Sequence, residues 1–262
     1  MTWLREKAGV ERVVLLGNSG GGSLMAAYQA EAATGGKLPK ADLYISLNAH
    51  PGRPEVLTNW MDASVTDETD PVATAASLDP FKPGPPYPAE FIARYRAAQR
   101  GRNQRITDWA KAELARLNAA GIPDRIFPLF RTWADLRFMD PSIDPSDRPC
   151  PGCYAGSPPV ANRLPFGIGR ASTLRAWLSM WSLETSKCSG AVQLAKLGVP
   201  SLVVQSMADM GVFPSDARAI FEALTVSDKT LEFVPGAHYF EDSETHRNRA
   251  IDLMADWIAR HV

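Results

Sequence analysis

The strongest constraint on the fold is a short apolar segment near the amino terminus that runs directly into a turn of small residues. Residues 12–17 read Arg-Val-Val-Leu-Leu-Gly, and the next four are Asn-Ser-Gly-Gly, which completes a G-x-S-x-G pattern centred on Ser19. An alanine-rich helical pattern follows from Ser23 to Ala33. A sharp strand-to-helix turn of this kind exposes the serine hydroxyl through a strained backbone. The pattern therefore predicts a nucleophile at Ser19 rather than a phosphate loop, which would carry Lys-Ser or Lys-Thr.

Glycine is expected on both sides of Ser19 in such a turn. A Cβ at those positions would clash with the neighbouring strand and helix, because the chain reverses direction within a few residues. The residues that form the predicted turn are Gly17, Asn18, Gly20 and Gly21.

Four short apolar segments predict the strands of a sheet. They lie at residues 12–17, 41–48, 200–206 and 229–235. Short continuous apolar runs suit strands that are buried on both faces, as in a parallel sheet. Helical patterns alternate with these segments, at residues 23–33, 215–224 and 249–258. This alternation predicts an α/β fold with a mostly parallel sheet.

Proline is concentrated in the middle of the chain, where 15 of the 21 prolines fall between residues 71 and 165. Because proline blocks the interior of helices and central strands, irregular structure and short helices are predicted there. Two longer helical patterns are nevertheless present, at residues 89–119 and 171–183. The sequence thus predicts a core made of residues 1–64 and 191–262, with residues 65–190 as a proline-rich helical cap insertion.

Charge and composition exclude several classes of protein. Lys and Arg total 28 and Asp and Glu total 29, so the chain is nearly neutral. This balance excludes electrostatic binding of nucleic acid as the main activity. No apolar run is long enough to span a bilayer, and the charged amino terminus does not resemble a secretory signal. Three cysteines fit a reducing compartment, so a cytoplasmic protein is predicted. The oligomeric state stays open.

A serine nucleophile needs a base, and the chain has four histidines. His238 follows the last predicted strand in a short glycine-containing loop, which is where an α/β sheet presents catalytic groups. His50 follows the second strand, whereas His246 lies in a polar run and His261 at the chain end. His238 is therefore the predicted base.

A carboxylate is needed to fix the tautomer of the histidine and to stabilise the imidazolium. Asp209 lies just past the third predicted strand and is the favoured candidate. Asp216 and Asp228 are rivals, but Asp216 lies in a helical pattern and Asp228 precedes a strand, at the opposite end of the sheet.

These three motifs, in the order Ser19, Asp209, His238, resemble the α/β-hydrolase fold family over residues 1–60 and 195–262. The resemblance implies a serine hydrolase that cleaves an ester, thioester or related acyl bond of a small-molecule substrate, without a cofactor or metal. It assigns Ser19 as nucleophile, His238 as base, Asp209 as orienting acid and the Gly20 N–H as oxyanion donor. An acyltransferase on the same triad is the alternative enzyme.

The chain departs from the family pattern before the turn. Family members usually place four strands and two helices ahead of the nucleophile, and a loop there supplies the second oxyanion donor. Here the turn begins at residue 17, so the first strand is predicted to form an exposed edge. The sequence therefore also raises the hypothesis of a truncated, catalytically inactive hydrolase remnant.

Several other features carry weaker predictions. His50, Trp177 and Trp181 are candidates for the substrate pocket, although the tryptophans equally suit the core of the insertion. Cys150-Pro-Gly-Cys153, with Cys188 downstream, lacks a fourth zinc ligand and is interpreted as a loop with ordinary thiols. Residues 90–117 hold seven Arg or Lys and three acids, which suits a solvated helix face better than a guide for an anionic substrate.

Overall fold

The computed structural model describes residues 1–35, 37–70 and 72–262. Within these residues the strands are β1 Val14–Asn18, β2 Leu43–Leu47, β3 Ile126–Pro128, β4 Ala171–Thr173, β5 Ser201–Ser206 and β6 Lys229–Val234. The helices are α1 Thr2–Glu6, α2 Gly20–Ala33, α3 Arg53–Trp60, α4 Ala89–Ala119, α5 Pro158–Ala161, α6 Leu174–Ala176, α7 Gly190–Leu194, α8 Pro214–Ala223 and α9 Glu244–Ala259. In this described part of the chain, no helix is long and apolar enough to cross a membrane.

The chain divides into two compact units. Unit 1 comprises residues 1–53, 144–148 and 188–262, and unit 2 comprises residues 54–143 and 149–187. The sequence placed the insertion at residues 65–190. In the structure, unit 2 begins earlier and ends slightly earlier, and the short segment 144–148 belongs to unit 1.

Unit 1 is built on a four-stranded sheet in the order β1-β2-β5-β6, and every neighbouring pair is parallel. The predicted α/β fold with a parallel sheet is confirmed. Three of the predicted strand segments contain one of these strands, and the segment at residues 12–17 overlaps β1, which extends to Asn18. β1 lies at one end of the described sheet and pairs with β2 alone. All six residues of β5 are buried, including the apolar run at residues 202–204.

The two faces of this sheet are covered by different helices, because successive side chains of a strand point to opposite sides. On one face, Tyr44 and Val203 pack with Ile220 of α8 and with residues of α2 and α7. On the other face, Ile45 and Leu202 pack with Trp257 and Ala250 of α9. Because the helices cover the two faces, the loops that follow the carboxyl ends of the four strands form one edge of the sheet. Parallel sheets place their functional groups at this edge.

Unit 2 contains the long helix α4, whose predicted bounds, residues 89–119, are confirmed. Pro88 precedes its first residue. Gly121 ends it with φ +78, donating its N–H to Asn118, while Ile122 donates to Leu117. This pair of bonds is a Schellman motif, which needs a residue that tolerates a left-handed backbone.

The prediction of one helix over residues 171–183 is wrong. Residues 171–173 form β4, which pairs antiparallel with β3. A helical turn, α6, and a π-helical turn at Trp177–Trp181 follow. The strand ends at Thr173, whose Oγ1 accepts the N–H of Ala176 at 3.1 Å and caps the next turn. Pairing with a partner far away in the sequence overrides the local helical pattern.

The interior of unit 2 holds buried ion pairs besides its apolar core. Asp135 is fully buried, and its carboxylate lies 2.7 Å from Arg96 and 2.9 Å from Arg137. Asp62 is equally buried and lies 2.8 Å from Nε of Arg131. Such pairs are costly to break, because removing one partner leaves an uncompensated buried charge.

Candidate active site

The turn after β1 has the strained backbone that the sequence predicted. Ser19 has φ 55 and ψ −123, a left-handed conformation that is uncommon for a residue with a Cβ. Its N–H donates to the carbonyl of Leu47 at the end of β2, at 3.0 Å. Its own carbonyl accepts the N–H of Gly22 at 3.1 Å, which begins the helix α2. The turn is thus fixed by the neighbouring strand as well as by its own helix.

Two glycines make this turn possible, and one of them differs from the prediction. A Cβ on Gly17 would lie 2.5 Å from the carbonyl oxygen of Gly21. A Cβ on Gly22 would lie 2.4 Å from Cβ of Ala49. A Cβ on Gly21 would meet nothing within 4 Å, so the expectation of a clash there is wrong. The close approach of the helix to the chain after β2 falls one residue later, at Gly22.

Asp209 and His238 come together beyond the carboxyl ends of β5 and β6. Nδ1 of His238 lies 2.6 Å from Oδ2 of Asp209, and both residues are almost completely buried. The other oxygen, Oδ1, accepts the N–H groups of Gly211 and Val212 at 2.8 and 3.0 Å. These two bonds fix the carboxylate against the imidazole. A neutral imidazole that donates through Nδ1 carries its lone pair on Nε2.

Asn48 connects the histidine loop to the strand next to the serine turn, and the sequence analysis did not identify it. Its Nδ2 donates to the carbonyl of His238 at 2.8 Å, and its Oδ1 accepts the N–H of Ser206 at 2.7 Å. It directly follows Leu47, the residue whose carbonyl holds Ser19. The serine turn and the histidine loop are therefore anchored to two consecutive residues at the end of β2.

In the sequence, only the position of Asn48 directly after a buried strand could have indicated its role. Its φ is 44, a left-handed value at which asparagine is enriched. The residue is completely buried, so its amide needs partners, and the two bonds described above supply them.

His50 and Arg53 border the first residue of α2. Nη2 of Arg53 donates to the carbonyl of Gly20 at 3.2 Å. A Cβ on Gly20 would lie 3.6 Å from Nε2 of His50, so the imidazole reaches the start of the helix. As the first residue of α2, Gly20 has an N–H that no carbonyl of its own helix can accept. The structure therefore places His50, which the sequence suggested for the substrate pocket, next to the serine turn.

The pKa of His50 is lowered to about 3 by burial of the imidazole, with the nearby positive charge of Arg53 as the next cause. An unfolded histidine titrates near pH 6.5, so between pH 6.5 and 3 the unfolded chain binds more protons at this site. The free energy of unfolding is therefore expected to decrease as the pH is lowered through this window. This histidine contributes up to about 1.4 kcal/mol per pH unit to the decrease. Urea unfolding of wild type and His50→Asn between pH 7 and 4 measures the effect.

His50→Asn is the control for wild type, because asparagine does not titrate in this pH window. His50→Asn is expected to show a shallower loss of unfolding free energy than wild type, whatever its stability at pH 7. Parallel pH profiles for the two proteins would contradict a neutral buried imidazole at this position.

The rival carboxylates and histidines have other partners. Asp216 accepts the N–H of Phe213 at 3.0 Å and so caps α8. Asp228 precedes β6 and lies 3.3 Å from Nε2 of His261, which stacks on Trp257. His246 forms a half-exposed pair with Asp242 on the surface.

Neither tryptophan candidate belongs to unit 1. Trp177 is completely buried in the apolar core of unit 2, where its Nε1 donates to Oγ1 of Thr107 at 3.1 Å. Trp181 packs against the same core and is partly buried. These positions favour the alternative that the sequence left open, in which the tryptophans are core residues of the insertion.

Two of the three cysteines, Cys150 and Cys153, belong to unit 2, whereas Cys188 begins the last segment of unit 1. Sγ of Cys150 lies 3.6 Å from the carbonyl of Phe138, and Sγ of Cys153 lies 3.3 Å from that of Gly156. Burial raises the pKa of the Cys153 thiol, which makes it a poor nucleophile. Among residues 1–35, 37–70 and 72–262, no three His, Cys, Asp or Glu side chains gather as a metal site.

Comparison with known proteins finds similarity to solved structures alone. No family model matches the chain, and no curated protein sequence matches it. A monoacylglycerol lipase from Paleococcus ferrophilus is 17% identical, with a TM-score of 0.42 over 99% of this chain and 72% of that one. An esterase from Rhodococcus sp. ECU1013 is 15% identical, with a TM-score of 0.40 over 98% and 68%. An α/β-hydrolase from Penicillium sp. sh18 is 17% identical, with a TM-score of 0.45 over 96% and 66%.

The geometry of unit 1 agrees with the sequence prediction in several respects. Its parallel sheet carries a strand–serine–helix turn with a strained serine, followed in chain order by an acid and a histidine after the next strands. This is the arrangement that the resemblance to the α/β-hydrolase fold implies.

Proposed function

We propose that this protein is a serine hydrolase that cleaves a carboxylic ester, thioester or related acyl bond. Ser19 is the nucleophile, His238 the general base and Asp209 the residue that orients His238. The observation that carries the proposal is the buried 2.6 Å bond between Asp209 and Nδ1 of His238. That bond leaves Nε2 as the basic nitrogen, in a loop that Asn48 links to the strand beside the strained serine.

The reaction follows from these roles. Oγ of Ser19 attacks the carbonyl carbon while its proton passes to Nε2 of His238. The carbonyl oxygen becomes an oxyanion, for which the N–H of Gly20 is available at the start of α2. His238 then returns the proton to the leaving alcohol or thiol, and the acyl group stays on Ser19. A water molecule, deprotonated by His238, releases the acid and restores the serine.

Asp209 stabilises the charge that this cycle creates. His238 becomes an imidazolium in both transition states, and the carboxylate 2.6 Å away compensates the positive charge. Because Asp209 is held by two backbone N–H groups, it does not need to reorganise during the reaction. Its burial strengthens the interaction, since water does not screen it.

Covalent labelling tests the nucleophile directly. Wild type is expected to react stoichiometrically with a fluorophosphonate probe, and Ser19→Ala is expected to lose the label completely, because the phosphonylated oxygen is absent. Intact-protein mass spectrometry measures the adduct, and p-nitrophenyl ester turnover on the same samples measures activity.

Ser227→Ala is the matched control. Ser227 is an exposed serine in the turn before β6, so its substitution should leave labelling unchanged. A label that persists in Ser19→Ala would place the nucleophile elsewhere. Absence of both label and turnover in wild type would contradict the proposed function.

A further inference from the structure

Unit 2 contains a hollow of about 610 Å³ that the proposed hydrolytic chemistry does not use. It lies between the middle of α4, the turn at residues 66–69 and the chain around β3. Its lining residues are Thr66, Asp67, Glu68, Thr69, Arg105, Ile106, Trp109, Arg125, Phe127, Pro128 and Phe130. The volume is in the range of sites that bind small organic molecules.

The apolar part of the hollow is mainly aromatic. Trp109 and Phe127 meet edge to face, with ring centroids 5.1 Å apart. Phe127 is buried, whereas Trp109 keeps 40% of its surface exposed. Phe130 and Ile106 complete this wall. Exposed aromatic rings of this kind bind a flat apolar group by stacking and by burial of its surface.

The lining of the hollow carries two acids and two arginines, and further arginines around it engage nearby carboxylates. Glu68 is engaged by Arg102, through two bonds of 2.7 Å. Glu113 is shared by Arg116 and Arg125, so one carboxylate serves two guanidinium groups.

Arg105 is the cation best placed for a ligand. It lines the hollow from α4, and the bond that the structure gives it is to the carbonyl of Val65, at 3.3 Å. The remaining acid of the lining, Asp67, accepts the N–H and the hydroxyl of Thr69 within its own turn.

A second cation lies just behind the aromatic wall. The guanidinium of Arg170 is 6.0 Å from the ring centroid of Phe130. Its Nε is buried and has no hydrogen-bond partner among the described residues. Burial and the charge of Arg102 lower the pKa of Arg170, so an added negative charge nearby would be favourable.

We propose that this hollow is a binding site for an aromatic monocarboxylate. The ring stacks against Trp109 and Phe127, and the carboxylate pairs with Arg105, whose planar fork suits a carboxylate. The site lies wholly within unit 2 and does not depend on the hydrolase chemistry proposed for Ser19.

Direct binding of 2-naphthoate, measured by calorimetry or equilibrium dialysis, tests the site. Wild type is expected to bind one equivalent. Arg105→Gln is expected to weaken binding by about tenfold or more, the usual effect of losing one charge-assisted bond. Trp109→Ala is expected to weaken it as well, through loss of stacking. Both side chains are exposed enough for the variants to fold, and a thermal melt of each is recorded.

Two controls locate the ligand. Arg100→Gln removes an exposed arginine of α4 that does not line the hollow, and it should leave affinity unchanged. Binding to wild type reacted with a fluorophosphonate, or to Ser19→Ala, should also be unchanged. The proposal is overturned if wild type shows no saturable binding below about 1 mM, which corresponds to about −4 kcal/mol. It is also overturned if Arg105→Gln and Trp109→Ala bind as wild type does. Loss of binding on substitution or modification of Ser19 would overturn it as well.

Discussion

Replacement of Asp209 by asparagine is expected to lower kcat for ester hydrolysis by about four orders of magnitude. The reason lies in how the carboxylate is held. Oδ1 accepts two backbone N–H groups, from Gly211 and Val212, so an asparagine keeps its carbonyl oxygen at that position. Its NH2 group then takes the place of Oδ2, 2.6 Å from Nδ1 of His238. Nδ1 must accept rather than donate, and the proton moves to Nε2, where the base is needed.

The variant therefore carries the wrong tautomer rather than a damaged fold. KM is expected to change little, since Asp209 does not need to touch the substrate, and the loss should appear in kcat. Steady-state kinetics on a p-nitrophenyl ester measure both parameters. Labelling by the fluorophosphonate should slow in the same proportion, because it needs the same base.

Asp228→Asn is the matched control, because Asp228 also neighbours a histidine, His261, at the opposite end of the sheet. This variant should retain kcat within about twofold, as expected for a surface position. A kcat for Asp209→Asn within tenfold of wild type would contradict the assignment of Asp209 as the residue that orients His238.

The serine turn and the acid–histidine pair could be predicted because the residues next to each of them in the sequence specify their place in the fold. Ser19 stands between an apolar strand and a small-residue helix, while Asp209 follows the fully buried strand β5 and His238 follows β6. In a parallel sheet, residues that follow strands meet at one edge, so chain order alone brings them together. The bond between Asp209 and His238 is the outcome of that rule.

Features that depend on contacts between distant segments could not be predicted in the same way. Asn48 matters because its amide bridges Ser206 and His238, and neither contact leaves a periodic signal in the sequence. Gly22 rather than Gly21 is required because Ala49 lies against the helix there. The strand β4 forms in a helix-like segment because β3, far away along the chain, offers a partner. In each case a tertiary contact decides what the local pattern leaves open.

The second large effect concerns the stability of unit 2 and arises from Asp135. This carboxylate is completely buried, accepts the N–H of Arg137 at 3.0 Å and pairs with the guanidinium groups of Arg96 and Arg137. Burial alone would raise the pKa of Asp135, but the charges of Arg137 and Arg96 outweigh it and hold the pKa well below the usual range. The carboxylate is therefore ionised in the folded protein at all ordinary pH values.

Asp135→Asn is expected to destabilise the protein by about 3–5 kcal/mol, because it removes the negative charge from between two guanidinium groups, one of them nearly buried. Urea unfolding followed by tryptophan fluorescence measures the loss. Since the folded-state pKa lies below that of the unfolded chain, the difference from wild type should persist from pH 8 to pH 5 and shrink only below about pH 4.

Glu184→Gln provides the comparison, because Glu184 pairs with Lys111 while both side chains stay about half exposed. Water and salt screen that pair, so its loss should cost less than about 1 kcal/mol. The contrast isolates burial as the cause, since each variant replaces one carboxylate by its amide beside a cation. Equal effects for the two variants would mean that the Asp135 charges contribute no more than a surface pair, and the low pKa of Asp135 would then be wrong as well.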